Sequence, residues 1–598
     1  MKPYLGKTDL YWCLNCNLPL LGKTCGKCHK KGKKIILTPP GDARPAFPSD
    51  IKLINETIKA QYGCELIPED KIVILNNAPG EDRFDEIVMD SEIIGAIRYD
   101  IKLKKFIFLP SLEGAIRIWK KSRKKYVTVD HSAKEHILKG SGVLIPGVRE
   151  WDEEIEKGEE VIVVCGEEVI GVGKAKLSGK EVKKVKKGIF VRLRRKGSIK
   201  HPNILKGGQN WDDVVEANRD IIRSYEKRSI EFIKRIIKKK KNFAVAFSGG
   251  KDSLATLLLV MDAVGKPEVI FTDTGIEYPE TLEYVRKISK NLKIKIRILK
   301  SEKFWKALEY FGVPARDYRW CCKVTKLGPI AKFIKQNYGN KLLCFIGQRK
   351  YESKIRSKSK DIWINPWLPS QVGASPIQNW KALHVWLYLM EKKVEINPLY
   401  FKGIKRIGCW LCPASDLAEF KVLKNIHPKL WKKWRDVLEE YGLSLEEGKW
   451  RWRRNDIKIK TFKYEYRDGK VFGELDISYQ NFSNLAKIFD SKIGEDFIFI
   501  SGIKVYTNGK YEFYPKNETE IYKKLWILVS LAERSKNCFN CGICEAQCKC
   551  NAITVNNGRI EISSNCTHCL ACHYSCPIVK YGVSKIRFIQ NGRKDNDM

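Results

Sequence analysis

The chain lacks any run of about eighteen apolar residues, the length a helix needs to cross a bilayer, so no membrane span is expected. It is also short of acid. Asp and Glu number 70 against 111 Lys and Arg, a formal net charge of +41 over 598 residues. A Lys-, Ile- and Glu-rich composition of the heat-adapted kind accumulates charge of both signs but does not create so large an imbalance. The excess points to a polyanionic partner, either nucleic acid or anionic nucleotides. The first thirty residues carry paired cysteines where a secretory leader would be apolar, and a cytoplasmic location is expected. Length alone allows roughly four domains.

What the chain has in abundance is cysteine, twenty in all. In a reducing compartment such clusters read as metal sites and not as disulfides. Cys13-x2-Cys16 and Cys25-x2-Cys28 form two tight pairs, and four thiolates can surround one tetrahedral ion. Zinc is the expected occupant, and one iron fits the same geometry. So small a ribbon has little core, and metal binding supplies most of its folding energy. Near the other end stand Cys538-x2-Cys541-x2-Cys544-x3-Cys548 and Cys566-x2-Cys569-x2-Cys572-x3-Cys576-Pro577. This spacing resembles the two-cluster ferredoxins. The resemblance implies crossed ligation. Cys538, Cys541, Cys544 and Cys576 would hold one [4Fe–4S] cluster, and Cys548, Cys566, Cys569 and Cys572 the second. Lys549 stands where the first run would have its proline. Cys64, Cys165, Cys344 and Cys550 are left over; Cys165 and Cys344 lie in apolar strands and read as structural, and Cys550 sits beside cluster ligands.

The most informative stretch is Ser248-Gly-Gly-Lys-Asp-Ser253, directly after the apolar run Phe243–Phe247 and before a helical pattern. The glycines let backbone N–H groups approach a ligand, the helix N-terminus favours an anion, and Lys251 adds a cation. The glycine–lysine spacing is wrong for a Walker A loop. The hexapeptide resembles the PP-loop of adenine-nucleotide alpha-hydrolases. An ordinary strand–helix turn is the plainer alternative. Ser248, Gly249, Gly250, Lys251, Asp252 and Ser253 are the expected nucleotide-binding residues.

Two further motifs follow in order. Phe271-Thr-Asp-Thr-Gly275 with Tyr278-Pro-Glu-Thr281 resembles the nucleotide loop of the phosphoadenosine-phosphosulfate (PAPS) reductase family, and Gly347-Gln-Arg-Lys-Tyr-Glu-Ser353 with Arg356 resembles its Gly-x-Arg-x-x-Glu-Ser motif. Arginine guanidinium groups fork onto phosphate or sulfate oxygens, so Arg349 and Arg356, with Lys251, are the expected catalytic cations. Glu352 can orient one guanidinium. Asp273, Thr274 and Gly275 complete the nucleotide loop, although Asp273 can equally cap its own turn. Cys321-Cys322 and Cys409-x2-Cys412 resemble the [4Fe–4S] site of cluster-bearing adenylylsulfate reductases, with Lys323 and Lys326 beside it. Zinc is the competing occupant. The family's C-terminal cysteine, in Glu-Cys-Gly-Leu-His, has no counterpart here. The basic aromatic run Trp450-Arg-Trp-Arg-Arg454 either packs into a core or stacks on bases.

Residues 124–200 carry short alternating strands at regular turn spacing, which imply a small β-barrel. Val127-Thr-Val-Asp130 and Leu138-Lys-Gly-Ser-Gly-Val-Leu-Ile-Pro-Gly147 resemble the PUA domain of RNA-modifying proteins, and the basic runs Lys183-Lys184, Lys186-Lys187 and Arg192–Lys196 would suit phosphate contacts. A protein-docking barrel with a solvated lysine face is the alternative. The expected fold class is multidomain α/β, of an archaeal type. A zinc ribbon spans 1–37, a mixed α/β platform 38–123, the PUA-like barrel 124–200 and a PP-loop parallel-sheet domain 201–454. A small mixed segment (455–530) and a ferredoxin-type α+β domain (531–598) follow. The expected cofactors are three [4Fe–4S] clusters and one zinc ion, with an adenine nucleotide as substrate and RNA as the expected partner of the barrel. Reduction of a sulfonucleotide to sulfite is the leading functional expectation. ATP-dependent RNA modification of the thiolation type comes second, and non-catalytic RNA binding third.

Overall fold

The computed structural model describes residues 8–199, 201–239, 242–339, 341–452 and 460–591. Arg453 and Arg454 of the basic aromatic run lie outside them. Among the described residues no helix is long and apolar enough to cross a membrane.

The ribbon is a three-stranded antiparallel sheet with Thr8–Cys13 at its centre. Its buried Trp12 and Leu20 join the core of the PP-loop sheet instead of forming one of their own. The long helix Trp211–Ile237 makes this junction. Its apolar residues (Val214, Val215, Ile222, Ile233, Ile236) face inward, and its Asn218 accepts from the Leu21 amide at 2.6 Å.

The platform is a five-stranded antiparallel sheet with the helices Pro48–Tyr62 and Leu112–Trp119. Ser111 caps the second helix, accepting from the Gly114 amide at 3.1 Å. That helix lies so close to the sheet that a Cβ on Gly114 would fall 1.8 Å from the Ile94 carbonyl oxygen. On its far side it packs against the barrel strand Glu168–Ala175. In the barrel, the strand Glu160–Cys165 is buried along its whole length. Val161 and Val163 fill the barrel's own core, while Ile162 and Val164 join the platform's. The period-2 alternation of a strand serves two cores at once.

The PP-loop domain is a six-stranded sheet. In space the strands run Ile296–Lys300, Glu268–Asp273, Phe243–Ala246, Leu342–Ile346, Leu368–Ala374, Ile362–Asn365. All neighbours are parallel except the last pair. The chain order reverses between Phe243–Ala246 and Leu342–Ile346, and ligands of such sheets bind at that switch point, beyond the strand carboxyl ends.

The C-terminal modules are interleaved. Ile586–Gln590 returns to pair in parallel with Lys460–Arg467 and becomes the edge of a seven-stranded sheet. The helix Glu518–Asn537 runs straight through the expected 530/531 boundary. A short hairpin, Ile553–Asn556 with Arg559–Ile562, separates the two cysteine runs. One apolar core extends from platform Ile54 and Ile58 through Trp386 and Trp410 to Leu525 and Ile578, so the modules are packed together and not strung apart.

Buried charge also stitches platform to PP-loop domain. The helix Leu417–Ile426 follows the Cys409–Cys412 loop directly and has no cap from its own Asp416. Platform Asp82 supplies one, accepting from the amides of Leu417 (2.7 Å) and Ala418 (3.0 Å) and from Arg451 Nη1 (3.1 Å). Asp85 accepts from Lys405 at 2.8 Å. Replacing Asp82 with Ala strands a buried guanidinium and two helix N–H groups. The expected loss is about 3–5 kcal/mol, read as a lower midpoint in chemical denaturation with new proteolytic cleavage near 413–420.

Candidate functional site

The three sequence motifs converge at one end of the parallel sheet. Ser248–Ser253 follows the central strand, Asp273–Gly275 ends its neighbour on one side, and Gly347–Ser353 follows its neighbour on the other. The loop turns on Gly249, whose φ of +74° belongs to the left-handed region, and Gly250 opens the helix Lys251–Val264. The Ser253 hydroxyl locks the turn: it lies 3.1 Å from the Ser248 amide and 3.1 Å from the Ser248 hydroxyl, and donates to the Gly250 carbonyl at 2.9 Å. Ser248 is exposed while Gly249, Gly250 and Lys251 are buried.

Residues outside the motifs brace the loop. The Tyr400 hydroxyl accepts from the Lys251 amide at 3.0 Å, and Asn397 Nδ2 donates to the Gly249 carbonyl and to Thr281 Oγ1, both at 3.2 Å. Asn397 and Tyr400 escaped the sequence reading. Asn397-Pro398 marks a turn, but nothing local links that turn to a loop so far away in the chain.

The expected catalytic cations are already engaged. Lys251 Nζ donates to Asp252 Oδ2 at 2.5 Å. Arg349, 2% exposed, donates from Nε to Asp252 Oδ1 (2.6 Å), from Nη1 to Asp42 Oδ1 (2.6 Å) and from Nη2 to Asp42 Oδ2 (3.0 Å). It is therefore placed as an internal brace and not as an open fork for a ligand, because its donors face carboxylates. Arg356 is half-buried and pairs with Glu352, which also accepts from the Arg349 amide at 3.0 Å. The Asp273 carboxylate accepts from the Gly275 amide at 2.9 Å, the turn-capping alternative.

Cys321 is buried, and Cys322, Cys409 and Cys412 are partly buried. Cys409 Sγ lies 3.7 Å from Thr274 Oγ1 and 3.7 Å from Glu277 Oε1. Arg319 Nη2 donates to Cys322 Sγ at 3.1 Å. Burial and the neighbouring charges of Glu277, Cys412 and Cys322 push the Cys409 thiol well up, the signature of several thiols drawn together out of water. A four-thiol set with an adjacent guanidinium suits an anionic metal–thiolate centre.

In the C-terminal module Cys538, Cys541, Cys544 and Cys576 line one apolar cavity together with Arg534. Burial, with the charges of Cys548, Cys566 and Cys569 offset in part by Arg534, pushes Cys572 up to about 11. The buried Arg534 also holds His573, Nη1 to Nδ1 at 2.9 Å. Cys550 Sγ is 3.6 Å from Cys548 Sγ. In the ribbon the sulfurs of Cys13, Cys16, Cys25 and Cys28 lie within 4.8 Å of one another, the spacing a closed tetrahedral metal site requires. Of the remaining cysteines, Cys344 is buried in its strand and Cys165 Sγ sits 3.6 Å from His131 Nδ1.

A packed aromatic wall separates the first C-terminal set from the Cys321–Cys412 site. Phe539 stacks near Phe311 (5.4 Å between centroids), and Phe311 on Trp320 (5.2 Å) beside Cys321. Lys303 Nζ donates to the Asn540 carbonyl at 2.6 Å, and the Tyr318 hydroxyl to that of Tyr581 at 2.9 Å. The basic aromatic run divides: Trp450 is fully buried, while Trp452 is 58% exposed under Arg316.

The fold and these motifs define a PP-loop α/β domain joined to a small β domain. Residues 242–415 match the family model for the phosphoadenosine phosphosulfate reductase domain, and residues 125–197 that for the PUA domain. The chain belongs to the PAPS reductase family, in a form fused to a PUA domain. It is 41% identical over 472 residues to protein MJ0066 of Methanocaldococcus jannaschii, covering 76% of this chain and 98% of that one. It is 26% identical over 179 residues to adenosine 5'-phosphosulfate reductase of Bacillus thuringiensis, covering 29% of this chain and 74% of that one. Among solved structures, PAPS reductase from Candida auris in a phosphate complex is 21% identical, with 33% of this chain and 97% of that chain covered and a TM-score of 0.25.

The buried charges set an acid limit on stability. Burial raises Asp252, but Arg349 and Lys251 outweigh it and hold its carboxyl at about 2. An unfolded Asp titrates near about 3.9, so the stabilisation is whole above about pH 4 and is lost as pH falls toward 2. His384 is held down to about 3 by burial and by Lys381 and Arg349. An unfolded His takes its proton near about 6.5, so its contribution also falls with acidification, from about pH 6.5 downward. The melting temperature should therefore begin to drop below about pH 6.5 and fall more steeply below about pH 4. Asp252→Asn should flatten the lower limb in a pH series of thermal melts.

Proposed function

We propose that the protein is an iron–sulfur enzyme of the PAPS reductase family that reduces a sulfonucleotide, adenylylsulfate or its 3′-phosphorylated form, to sulfite. The observation that carries this reading is the 3.7 Å approach of Cys409, one of the proposed cluster ligands, to Thr274 and Glu277. In the proposed reaction the bond between sulfur and the phosphate-bridging oxygen breaks and that oxygen stays with the nucleotide. The released sulfur trioxide unit takes an electron pair from an external reductant and leaves as sulfite, so atoms and charge balance.

The glycine turn and the N-terminus of the helix Lys251–Val264 receive the anion, with the Ser248 and Lys251 amides held by Ser253 and Tyr400. Lys251, fixed by Asp252, and Arg356, fixed by Glu352, stand nearest to free charge on the ligand. Tyr400 and Asn397 keep the loop from relaxing. Cys321, Cys322, Cys409 and Cys412 would hold one [4Fe–4S] cluster, and the two C-terminal sets one each, as the crossed ferredoxin pattern implies. Such clusters supply one-electron transfer when bound. The aromatic wall of Phe539, Phe311 and Trp320 gives the C-terminal sets a packed contact with the nucleotide domain. The ribbon would hold zinc.

Protein purified without oxygen should carry about twelve iron and about one zinc per chain, and Cys541→Ser should lower iron by about four, measured by mass spectrometric metal analysis. With a reduced low-potential dye and either sulfonucleotide it should release sulfite and the nucleotide in equal amounts. Lys251→Ala should cut kcat/KM by about 10²–10³-fold. No sulfite from either substrate would sink the reading.

A second reading has its own support in the PUA domain match and the charge of +41. The same loop would adenylate an RNA base with ATP before sulfur insertion, and RNA would bind the barrel. Mass spectrometry of tRNA nucleosides from a deletion strain separates the two: loss of a thionucleoside favours RNA modification, and an unchanged profile argues against it.

A further inference from the structure

Asp42 lies far outside the matched family domain, in the turn before the platform strand Ala43–Pro45. Its carboxylate nevertheless takes both terminal nitrogens of Arg349, at 2.6 and 3.0 Å, in a bidentate pair. A third donor, the Ala382 amide, reaches Asp42 Oδ1 at 2.6 Å and fixes the carboxylate from the other side. Arg349 has one nitrogen left, Nε, and it meets Asp252 Oδ1 at 2.6 Å. The other oxygen of Asp252 takes Lys251 Nζ at 2.5 Å. The result is a chain of alternating charge, Asp42–Arg349–Asp252–Lys251, with the platform at one end and the loop lysine at the other.

We propose that Asp42 is a positioning residue for the nucleotide site. Two cations and two anions balance in this chain only when Asp42 is in it. Without Asp42, Asp252 faces two buried cations alone and its share for Lys251 shrinks. The Arg349 side chain is then free to tilt away from the plane that the bidentate pair imposes. Loop geometry suffers directly, because Gly347, two residues before Arg349, packs on the Asp252 backbone. A Cβ there would lie 2.5 Å from the Asp252 carbonyl carbon. On this account the platform is a working part of the nucleotide site and not a spacer between ribbon and barrel.

The proposal rests on reading residues 248–253 as the nucleotide loop, and its test separates the two. Full-length Asp42→Asn keeps an oxygen for the Ala382 amide and removes the charge together with the acceptor for Arg349 Nη2. Hydrogen–deuterium exchange on the free protein should show faster exchange at 248–256 and 347–353, by about tenfold, with ribbon and barrel peptides unchanged. Affinity for ATP or adenylylsulfate, measured by calorimetry, should fall about tenfold, and Asp42→Glu should recover part of it. In an Arg349→Met background the Asp42→Asn change should cost nothing further, since its partner is gone. Unchanged exchange at both segments in Asp42→Asn overturns the proposal, as does an equal affinity loss with and without Arg349. If wild-type protein binds neither nucleotide, the reading of the loop fails, while the exchange result still decides the role of Asp42. Should Asp42→Asn fail to fold, Asp42→Glu, which keeps the charge but displaces it, carries the same comparison.

Discussion

A buried charge tolerates few arrangements, and the site described here is organised by that constraint. Removing Arg349 from water is costly, and the cost is met only if its planar guanidinium is met edge-on by carboxylates held in place. Asp42 and Asp252 meet that demand from two different modules. Once Arg349 is fixed, the backbone around Gly347 is fixed, and it can lie directly on the peptide between Asp252 and Ser253 only because residue 347 has no side chain. The PP-loop is thus pressed from one side by the Gly347 turn and from the other by Tyr400 and Asn397. Its amides point where they do because everything around them is already committed.

The same logic explains the dense stitching between platform and PP-loop domain. Asp42, Asp82 and Asp85 all belong to a segment with no chemical motif of its own, yet each holds a group of the nucleotide domain. Asp82 reaches the helix that leaves the Cys409–Cys412 loop, so the platform grips both the anion loop and the cysteine loop. A chain fused only for convenience would leave such contacts to solvent, where ion pairs contribute little. Here they are buried and directional.

Much of this was legible from sequence wherever chemistry is local. The glycines and lysine of residues 248–253, the cysteine spacings and the alternating strands of the barrel all carry their meaning within a few residues, and the parallel sheet follows from strands alternating with helices. The roles of Arg349 and Asp273 were less accessible. A motif says that an arginine stands at position 349; it does not say that residue 42 will claim it. Asp273 carried two readings, and its Oδ1 caps the turn at Gly275. Asn397, Tyr400 and Asp42 were invisible because their partners lie far away in the chain and nothing in their neighbours marks them. The helix Glu518–Asn537 and the returning strand Ile586–Gln590 hid the interleaving of the last two modules for the same reason: pairing across more than a hundred residues leaves no local pattern.

The charge count at the site bears on how an anion is held. Lys251, Arg349 and Arg356 are matched by Asp252, Asp42 and Glu352, so the residues that looked like an excess of positive charge are balanced. An anionic ligand then gains little from bulk attraction at the loop itself. What remains is the row of amides on a glycine turn and the open end of a helix, which favour a phosphate or sulfate by geometry and partial charge. A balanced site of this kind discriminates by shape and hydrogen bonding more than by net charge. The large positive excess of the chain lies elsewhere and is spread along the sequence, the basic runs of the PUA domain being one part of it.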